Sequence, residues 1–295
     1  MPGCLRSRMR PLLKTFFRLA TAVNVLTHAW AASNFNAVDS FSWASNLGWL
    51  NWRGDVQNGV EVDQFICAGF LYSANAGWIN MGNGAPSNGI AYQNNSASDF
   101  GVNVDSAGNL TGFAYGANIG WINFAASGRP QIDLHTGRLT GFVYGANVGW
   151  FNLGDVTFAP RVDTLAAGRD SDGDGIPDAW EISHVGNLTS LTATGDFDHD
   201  GQSDLEEYLA DTDPTDPADN LRIVSFSLTT LTWTTRPTRQ YSLQSRSSFD
   251  PAAAWVDSGL GVLSATGPNL STPIPSGFAG TQRYFRVQAV RPLSP

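Results

Sequence analysis

Lysine, cysteine and histidine are scarce in this sequence of 295 residues. Lys14 is the only lysine, and there are two cysteines and four histidines. Only Cys67 lies beyond the first 32 residues, so that part of the chain cannot form an internal disulfide. Cys67 stands in the apolar run 65–70, where we expect a buried thiol that behaves as a small hydrophobe. The stabilising device must be something other than a disulfide.

Recognisable catalytic motifs are also missing. The chain has no Gly-x-Ser-x-Gly, no His-Glu-x-x-His and no phosphate-binding glycine loop. We expect His135 to be exposed in a turn, and His199 to face solvent at a non-ligand position of an acidic loop. The sequence therefore predicts that the protein is not an enzyme. Two of the scattered acids could still converge as a glycosidase pair; these acids are Asp55, Glu61, Asp63, Asp99, Asp105, Asp133 and Asp155.

Residues 1–32 have the layout of a secretory signal peptide. Five basic residues precede a mostly apolar stretch from Leu19 to Trp30, and Ala29-Trp30-Ala31 has the small-x-small pattern of a cleavage site. The alternatives are an amphipathic tail or a membrane anchor, but the stretch is shorter than the roughly 20 apolar residues that span a bilayer. We expect a secreted or cell-surface protein with no membrane insertion after the signal is removed.

Loss of this segment would make the chain strongly acidic. It contains five of the 17 basic residues and none of the 26 acidic ones, which leaves 12 against 26 and a formal charge of −14. Such a chain repels phosphates and anionic lipid, so we predict no nucleic-acid partner. Its counterions are cations.

An eleven-residue pattern occurs four times in the N-terminal half, at 41–51, 70–80, 113–123 and 142–152. Each copy has Phe, an aromatic residue two positions later, then Asn, Gly-Trp and a final Asn. The alternation predicts two strands joined by a tight turn. Segments at 102–105 and 131–134 add a leading strand to copies three and four, which predicts three-stranded meander units. Copy one lacks this strand, and we expect the insertion 84–98 to be a surface loop.

The repeated aromatic residues have two interpretations. They could form the hydrophobic core of a thin repeat sheet, or they could lie exposed and stack on the sugar rings of a glycan. We favour the core, because each thin unit needs large side chains to bury. Trp52 lies outside the repeated pattern and, from strand parity, is the better candidate for a surface contact.

The C-terminal segment has short alternating strands of a different kind. The sequences 230–234, 240–244 and 284–288 alternate apolar with polar residues between prolines and glycines. This pattern predicts a β-sandwich of immunoglobulin or fibronectin III type over 220–295. The early tryptophan and the closing Tyr-Phe-Arg-Val-Gln strand resemble C-terminal sandwich modules of secreted bacterial multi-module proteins.

Between the two β segments the chain becomes acidic. Residues 170–219 hold 15 acidic side chains and neither lysine nor arginine. An acidic linker would explain the composition but not the spacing. Two twelve-residue loops, 170–181 and 196–207, each have acids at positions one, three, five, nine and twelve, and glycine at position six.

This spacing is that of a calcium-binding loop. Calcium takes six to eight oxygen ligands, and the loop supplies carboxylates, one backbone carbonyl and a final bidentate glutamate, with glycine permitting the sharp turn. We predict two Ca²⁺ ions as cofactors. The predicted ligands are Asp170, Asp172, Asp174, the Ile176 carbonyl, Asp178, Glu181, Asp196, Asp198, Asp200, the Gln202 carbonyl, Asp204 and Glu207.

The surroundings of the loops refine their type. Residues 179–182 and 205–209 are predicted as short exiting helices, whereas no helix is predicted to enter either loop. These features resemble thrombospondin type 3 and EF-hand-like, dockerin-like calcium repeats. The resemblance implies a structural calcium segment in an extracellular protein. The acidic tail 208–217 could donate further ligands or form a stiff exit, and we favour the exit.

Together these features predict a mainly β protein with four parts: a signal peptide (1–32), an aromatic β-repeat domain (33–160), a calcium-binding segment (161–219) and a β-sandwich (220–295). We expect calcium to rigidify the linker between the β modules in adhesion or in binding an extracellular glycan or cell surface. The alternatives are a secreted polysaccharide-acting enzyme and a passive envelope or matrix protein.

Overall fold

The computed structural model describes residues 33–55, 57–124, 126–250, 252–275 and 283–294. Within these ranges the protein is mainly β, as predicted, with two short helices. The predicted signal peptide lies outside the described residues. In the N-terminal part the strands are β1 (Phe41–Ala44), β2 (Gly48–Asn51), β3 (Glu61–Val62), β4 (Cys67–Ala68), β5 (Phe70–Ser73), β6 (Gly77–Asn80), β7 (Val102–Val104), β8 (Leu110–Gly116), β9 (Gly120–Asn123), β10 (Gln131–Ile132), β11 (Leu139–Gly145) and β12 (Gly149–Gly154).

A single-turn 3₁₀ helix at Ala126–Gly128 lies between β9 and β10. The remaining elements follow β12. They are α1 (Asp178–Val185), α2 (Asp204–Ala210), β13 (Ile223–Phe226), β14 (Thr230–Thr234), β15 (Gln240–Arg246), β16 (Val256–Ser264), β17 (Asn269–Pro273) and β18 (Tyr284–Val290).

Four hairpins close into one ring. The hairpins are β1–β2, β5–β6, β8–β9 and β11–β12, and each contains one copy of the repeated pattern. Neighbouring hairpins pair through β2–β5, β6–β8 and β9–β11, and β12 pairs with β1. All of these pairings are antiparallel, so eight strands form a closed cylinder in which no hairpin is left with an unpaired edge.

The interior of this ring is aliphatic. Because side chains alternate along a strand, the residue after each repeated tryptophan points to the opposite face from the tryptophan itself. Leu50, Ile79, Ile122 and Phe151 occupy this position, and each is at most 2% exposed. They form a single core with inward residues such as Leu71 and Val143.

The prediction that the repeated tryptophans form the core is therefore wrong. Trp49, Trp78, Trp121 and Trp150 are 44–52% exposed on the outer face of the ring. The surface contact predicted for Trp52 is also wrong, because its side chain is fully buried. Its Nε1 donates to Ser42 Oγ at 2.9 Å, and its ring packs on Phe35. Strand parity holds here, because Trp52 lies on the same face as Leu50 and opposite Trp49, and that face is the interior of the ring. The prediction failed because it placed the wrong face of the strand in the core.

Leading strands precede three of the four hairpins. β3 pairs with β4, β7 with β8, and β10 with β11. Copy one lacks its own leading strand, and residues 158–163 from beyond copy four lie in its place. Arg161 N–H donates to Asp39 O at 2.8 Å, Asn36 N–H donates to Arg161 O at 2.7 Å, and Phe35 forms a bridge with Val162. The end of the repeat region thus pairs with its beginning.

The tips of the hairpins explain the repeated asparagine. Its Nδ2 donates to a backbone carbonyl in the tip of the preceding hairpin around the ring. The four bonds are Asn46 to Val148 O at 3.0 Å, Asn75 to Leu47 O at 3.0 Å, Asn118 to Ala76 O at 3.1 Å and Asn147 to Ile119 O at 3.1 Å. The following glycine of each turn has a positive φ of 75–81°, so glycine and not asparagine supplies the left-handed residue.

The insertion 84–98 contains none of the strands, but it is anchored rather than simply exposed. Tyr92 is buried, its hydroxyl accepts from Gly84 N–H at 2.7 Å, and it lies 3.3 Å from Cys67 O. Cys67 is buried, as predicted. Gly89 lies so close to α1 that a Cβ atom there would be 2.7 Å from Ile182 Cδ1. The insertion therefore packs against the acidic segment.

The C-terminal part consists of two three-stranded sheets, β13-β14-β17 and β16-β15-β18. Leu231, Trp233, Tyr241 and Leu243 form the centre of their common core, with at most 1% of each side chain exposed. The acidic segment, with α1 and α2, lies in sequence between this part and the ring.

Candidate metal centres

Both acidic loops curl so that three aspartates converge. One carboxylate oxygen from each of Asp170, Asp172 and Asp174 lies within 4.8 Å of the other two. Asp196, Asp198 and Asp200 make the same arrangement in the second loop. The predicted ligand positions one, three and five are therefore brought together in both loops. An acidic cluster alone does not make a metal site, so its surroundings matter.

The first aspartate of each loop fixes the turn. Asp170 accepts hydrogen bonds from Gly173 N–H at 2.7 Å and Gly175 N–H at 2.9 Å. In the second loop, Asp196 accepts from Asp200 N–H and Gly201 N–H, both at 3.1 Å. These bonds pull the chain around the carboxylate.

Glycine is needed at position six for a conformational reason. Gly175 and Gly201 have φ values of +96° and +98°. A side chain rarely adopts this region of backbone space. Around Gly201 a Cβ atom would meet nothing within 4 Å, so the requirement comes from the backbone and not from crowding.

The acids at position nine begin the two helices. Asp178 accepts from Ser171 N–H at 2.7 Å and from Ser171 Oγ at 2.5 Å. Asp204 accepts from Phe197 N–H at 2.9 Å and Thr192 N–H at 2.8 Å. Both oxygens of each carboxylate are thus engaged by the protein. At this position the side chain braces the loop, and any contact with a cation would run through water.

The glutamates at position twelve are the unusual groups. Glu181 and Glu207 are both 0% exposed. Neither Oε1 nor Oε2 of Glu181 has a hydrogen-bond partner in the part of the chain that the structure describes, and the same holds for Glu207 Oε2. Each of Asp174, Asp198 and Asp200 also has one buried oxygen without a partner. Buried carboxylates are costly unless they are paired or coordinate a metal.

Electrostatics in the loops agree with this geometry. Burial, together with repulsion from Asp172 and Asp174, raises the pKa of Glu181 to about 7. Burial and repulsion from Asp198 and Asp200 raise the pKa of Glu207 to about 8. A divalent cation between these groups would reverse the repulsion and favour the ionised carboxylates.

The residues at position seven have different surroundings. Ile176 is buried in a small core with Trp180, Leu191 and Tyr208. The Gln202 side chain is turned away from the loop, and its Nε2 donates to Leu221 O at 2.6 Å. Their backbone N–H groups bond to Asp174 and Asp200, which leaves the backbone carbonyls as the candidate ligands.

No family model, curated protein sequence or solved structure matches this chain. The resemblance to thrombospondin type 3 and dockerin-like repeats therefore stays a prediction. Within the described residues α1 and α2 leave the loops, and no helix runs directly into residue 170 or 196, as predicted. Neither of these two helices has the length and apolar character needed to cross a membrane.

The histidine predictions are confirmed. His199 is exposed in the second loop, with a φ of +67°, and His135 is exposed in a turn next to Asp133. The His199 ring lies 3.2 Å from the Phe197 carbonyl, and the His135 ring lies 3.1 Å from Ser264 Oγ.

A residue that the sequence did not reveal as important lies directly after Glu207. The Tyr208 hydroxyl accepts from Gln64 Nε2 at 2.6 Å and from an Arg291 guanidinium nitrogen at 3.1 Å. Gln64 belongs to the repeat region and Arg291 to the C-terminal part. One side chain of the acidic segment therefore connects both flanking β regions.

Arg239 makes a second connection at the end of α2. Its guanidinium donates to the carbonyls of Tyr208 at 3.0 Å and Leu209 at 2.9 Å, and it lies 3.4 Å from Asp211. Arg239 is buried, and a cation is favourable at a helix C-terminus. Asp219 pairs in the same way with Arg236. Asp211 and Asp219 are thus engaged with the C-terminal part, and the interpretation of 208–217 as an exit stays a prediction. Alternation patterns do not detect such long-range pairs.

Proposed function

We propose that this chain is a secreted or cell-surface modular protein that binds two calcium ions, and that calcium fixes the geometry of its flanking β modules. One observation carries the proposal. Glu181 and Glu207 are fully buried, and each has at least one carboxylate oxygen without a hydrogen-bond partner among the described residues. Each glutamate closes a loop in which three aspartate carboxylates converge. Oxygen-only donor sets of this size suit a hard cation such as Ca²⁺.

The oxygen groups of each loop have two roles: most would bind the ion directly, and the aspartate at position nine holds the loop in shape. In the first site Asp170, Asp172, Asp174, the Ile176 carbonyl and Glu181 would hold the ion, and Asp178 would act through water. In the second site the corresponding groups are Asp196, Asp198, Asp200, the Gln202 carbonyl and Glu207, with Asp204 in the bracing position. Bound calcium would neutralise the loops and leave the buried carboxylates satisfied.

Contacts next to the second site support the proposal that calcium fixes the geometry of the flanking β modules. Glu207 and Tyr208 are adjacent in α2, so an ion held by the first residue would order the second, which bonds to Gln64 and Arg291. Extracellular calcium modules bind with dissociation constants of about 10⁻⁴–10⁻³ M. Free calcium at ten times the dissociation constant would then stabilise the folded state by about 1.4 kcal/mol per site.

In this proposal the flanking modules do the binding. The ring of hairpins would serve as the repeat domain and the two C-terminal sheets as an immunoglobulin- or fibronectin III-like sandwich. Together they would act in adhesion or in binding an extracellular glycan or surface. A polysaccharide-acting enzyme and a passive envelope or matrix protein are the alternatives.

Calcium titration of the protein without residues 1–32 tests the proposal. We expect isothermal titration calorimetry to give two ions per chain, and chelation to lower the melting temperature and to increase the radius of gyration in small-angle scattering. A melting temperature and a radius of gyration that do not respond to chelation would refute the proposal that calcium fixes the flanking modules. Hydrolysis of polysaccharide by the calcium-loaded protein would favour the enzyme instead.

A further inference from the structure

The outer face of the ring has an aromatic belt, which we define by the exposed rings of the four hairpins. In each hairpin the Trp ring contacts both a Phe and a second aromatic residue, and the centroid of the second residue lies 4.8–5.0 Å from that of the Trp. Such contacts hold the rings in place although the tryptophans are about half exposed. The belt consists of Phe41, Trp43, Trp49, Phe70, Tyr72, Trp78, Phe113, Tyr115, Trp121, Phe142, Tyr144 and Trp150.

Oriented amides interrupt the belt at each junction between hairpins. The last Asn of a copy lies directly opposite the second aromatic residue of the next, as in the pairs Asn51–Tyr72 and Asn80–Tyr115. Asn51 Oδ1 accepts from Arg53 N–H at 2.9 Å, and Asn80 Oδ1 accepts from Gly82 N–H at 2.8 Å. These bonds fix the amide plane. Both Nδ2 groups have no hydrogen-bond acceptor among the described residues, so they are donors available beside an aromatic ring.

Two tryptophans of the belt line shallow clefts. The cleft at Trp49 has a volume of about 370 Å³, and the cleft at Trp150 has about 820 Å³. Phe142 and Trp150 provide the apolar wall of the larger cleft, while Arg129, Gln131 and Thr140 provide polar groups. An apolar wall with a few convergent hydrogen-bonding groups is the usual composition of a ligand site.

The chemistry of the belt restricts its ligand. The rings and amides that define the belt carry no charge, and the chain has a formal charge of −14 without residues 1–32. The charged side chains in the two clefts are Arg129 near Trp150 and Asp39 near Trp49, one of each sign. This charge balance disfavours a polyanion. Apolar C–H faces for the rings and hydroxyl groups for the amides are combined in pyranose sugars. Four related sites on one cylinder also suit a ligand built from repeating units, although Trp49 also contacts Phe158 and Trp121 also contacts Phe100.

We propose that the aromatic belt binds a neutral polysaccharide, with Trp49, Trp78, Trp121 and Trp150 as stacking platforms and Asn51 and Asn80 as hydrogen-bond donors. This deepens the proposed function, on which it rests for the extracellular setting. The clefts at Trp49 and Trp150 would be the primary subsites.

The test uses the calcium-loaded protein without residues 1–32 and soluble neutral glucans, mannans and xylans, with polygalacturonate and a proline-rich peptide as other ligand classes. Affinity electrophoresis and titration calorimetry give the dissociation constants. We expect Trp150→Ala to weaken binding of at least one neutral polysaccharide about tenfold or more. Phe226→Ala, which removes an exposed aromatic ring of the C-terminal part, should leave the affinity unchanged.

A second variant protects the test against misfolding. The double variant Asn51→Asp and Asn80→Asp keeps the oxygens that accept Arg53 and Gly82 N–H but removes the amide donors, and it should also weaken binding. Failure of every neutral polysaccharide to bind, preference for polygalacturonate or the peptide, or equal affinities of Trp150→Ala and Phe226→Ala would overturn the proposal. If the same samples bind two calcium ions, failure to bind polysaccharide would leave the calcium proposal intact.

Discussion

Glu207 and Glu206 are neighbours in α2 with opposite surroundings. Glu207 is buried with a free oxygen, whereas Glu206 is exposed and bonds to Ser203 at the start of the helix. We expect Glu207→Gln to weaken calcium binding at the second site about tenfold or more, because it removes a charged ligand that offers two oxygens. Titration calorimetry measures this change. Glu206→Gln is the matched control, and equal calcium affinities in the two variants would contradict the assignment.

The same glutamates predict how stability depends on pH without calcium. Burial and neighbouring aspartates raise the pKa of Glu181 to about 7 and of Glu207 to about 8, above the 4.5 of a free glutamate. The folded state therefore binds more protons than the unfolded state between pH 4.5 and 8, so its stability falls as the pH rises through this range. Thermal melts in chelator at pH 5 and pH 8 should show the higher melting temperature at pH 5. Saturating calcium should reduce this difference.

Trp52 and Trp49 test which tryptophans hold the ring together. Trp52 is fully buried and bonds to Ser42, while Trp49 is 52% exposed. We expect Trp52→Ala to lower the free energy of unfolding by about 3–5 kcal/mol, as for other large core residues. Trp49→Ala should cost about 1 kcal/mol, because half of its surface already contacts water. Urea denaturation of both variants measures the two costs, and the reverse order would contradict the orientation of the strands.

At the scale of the elements, the hairpin tips depend on one another through the repeated asparagine. Asn118 Nδ2 donates to Ala76 O at 3.1 Å, across to the preceding hairpin. Replacing it with Ala removes that bond and leaves a partly buried carbonyl unpaired, so we expect a loss of about 1 kcal/mol in the free energy of unfolding. Denaturation by urea gives the value. Asn95→Ala, at an exposed position outside the ring whose side chain has no hydrogen bond among the described residues, should change stability by less than half as much.

The sequence predicted the acidic loops correctly, because their geometry depends on residues only a few positions apart. The twelve-residue spacing located the converging aspartates, the glycine turns and the starts of the exiting helices. The sequence did not predict which face the repeated aromatic residues occupy, since Phe-x-Tyr and Trp alternate identically whether that face is inside or outside. Which face is buried depends on the ring closing, and here the smaller Leu, Ile and Phe side chains fill the interior.

At the scale of the whole molecule, the contacts that join its parts were not predictable from the sequence. Residues 161–163 pair with 34–39, more than a hundred positions away, and nothing in either segment marks the other as its partner. Gln64, Tyr208 and Arg291 are ordinary residues in their local patterns, yet one hydroxyl brings them together. Such contacts arise only after the modules have folded and packed.

Tyr208 therefore gives the sharpest test of whether the acidic segment transmits order to its neighbours. Tyr208→Phe keeps the ring in its small core but removes the hydroxyl that accepts from Gln64 and Arg291. We expect a loss of about 1–3 kcal/mol in stability, because one of the two bonds involves a charged donor. The variant should still bind two calcium ions.

The decisive measurement on Tyr208→Phe is small-angle scattering of the calcium-loaded protein. If the hydroxyl transmits the order of α2 to both β regions, the variant with calcium should be more extended than the wild type with calcium and should approach the chelated wild type. Tyr115→Phe, whose hydroxyl lies on the outer face of the ring, is the control. An unchanged scattering curve for Tyr208→Phe would mean that the modules are held by their other contacts, such as those of Arg239, and that calcium acts on the segment alone.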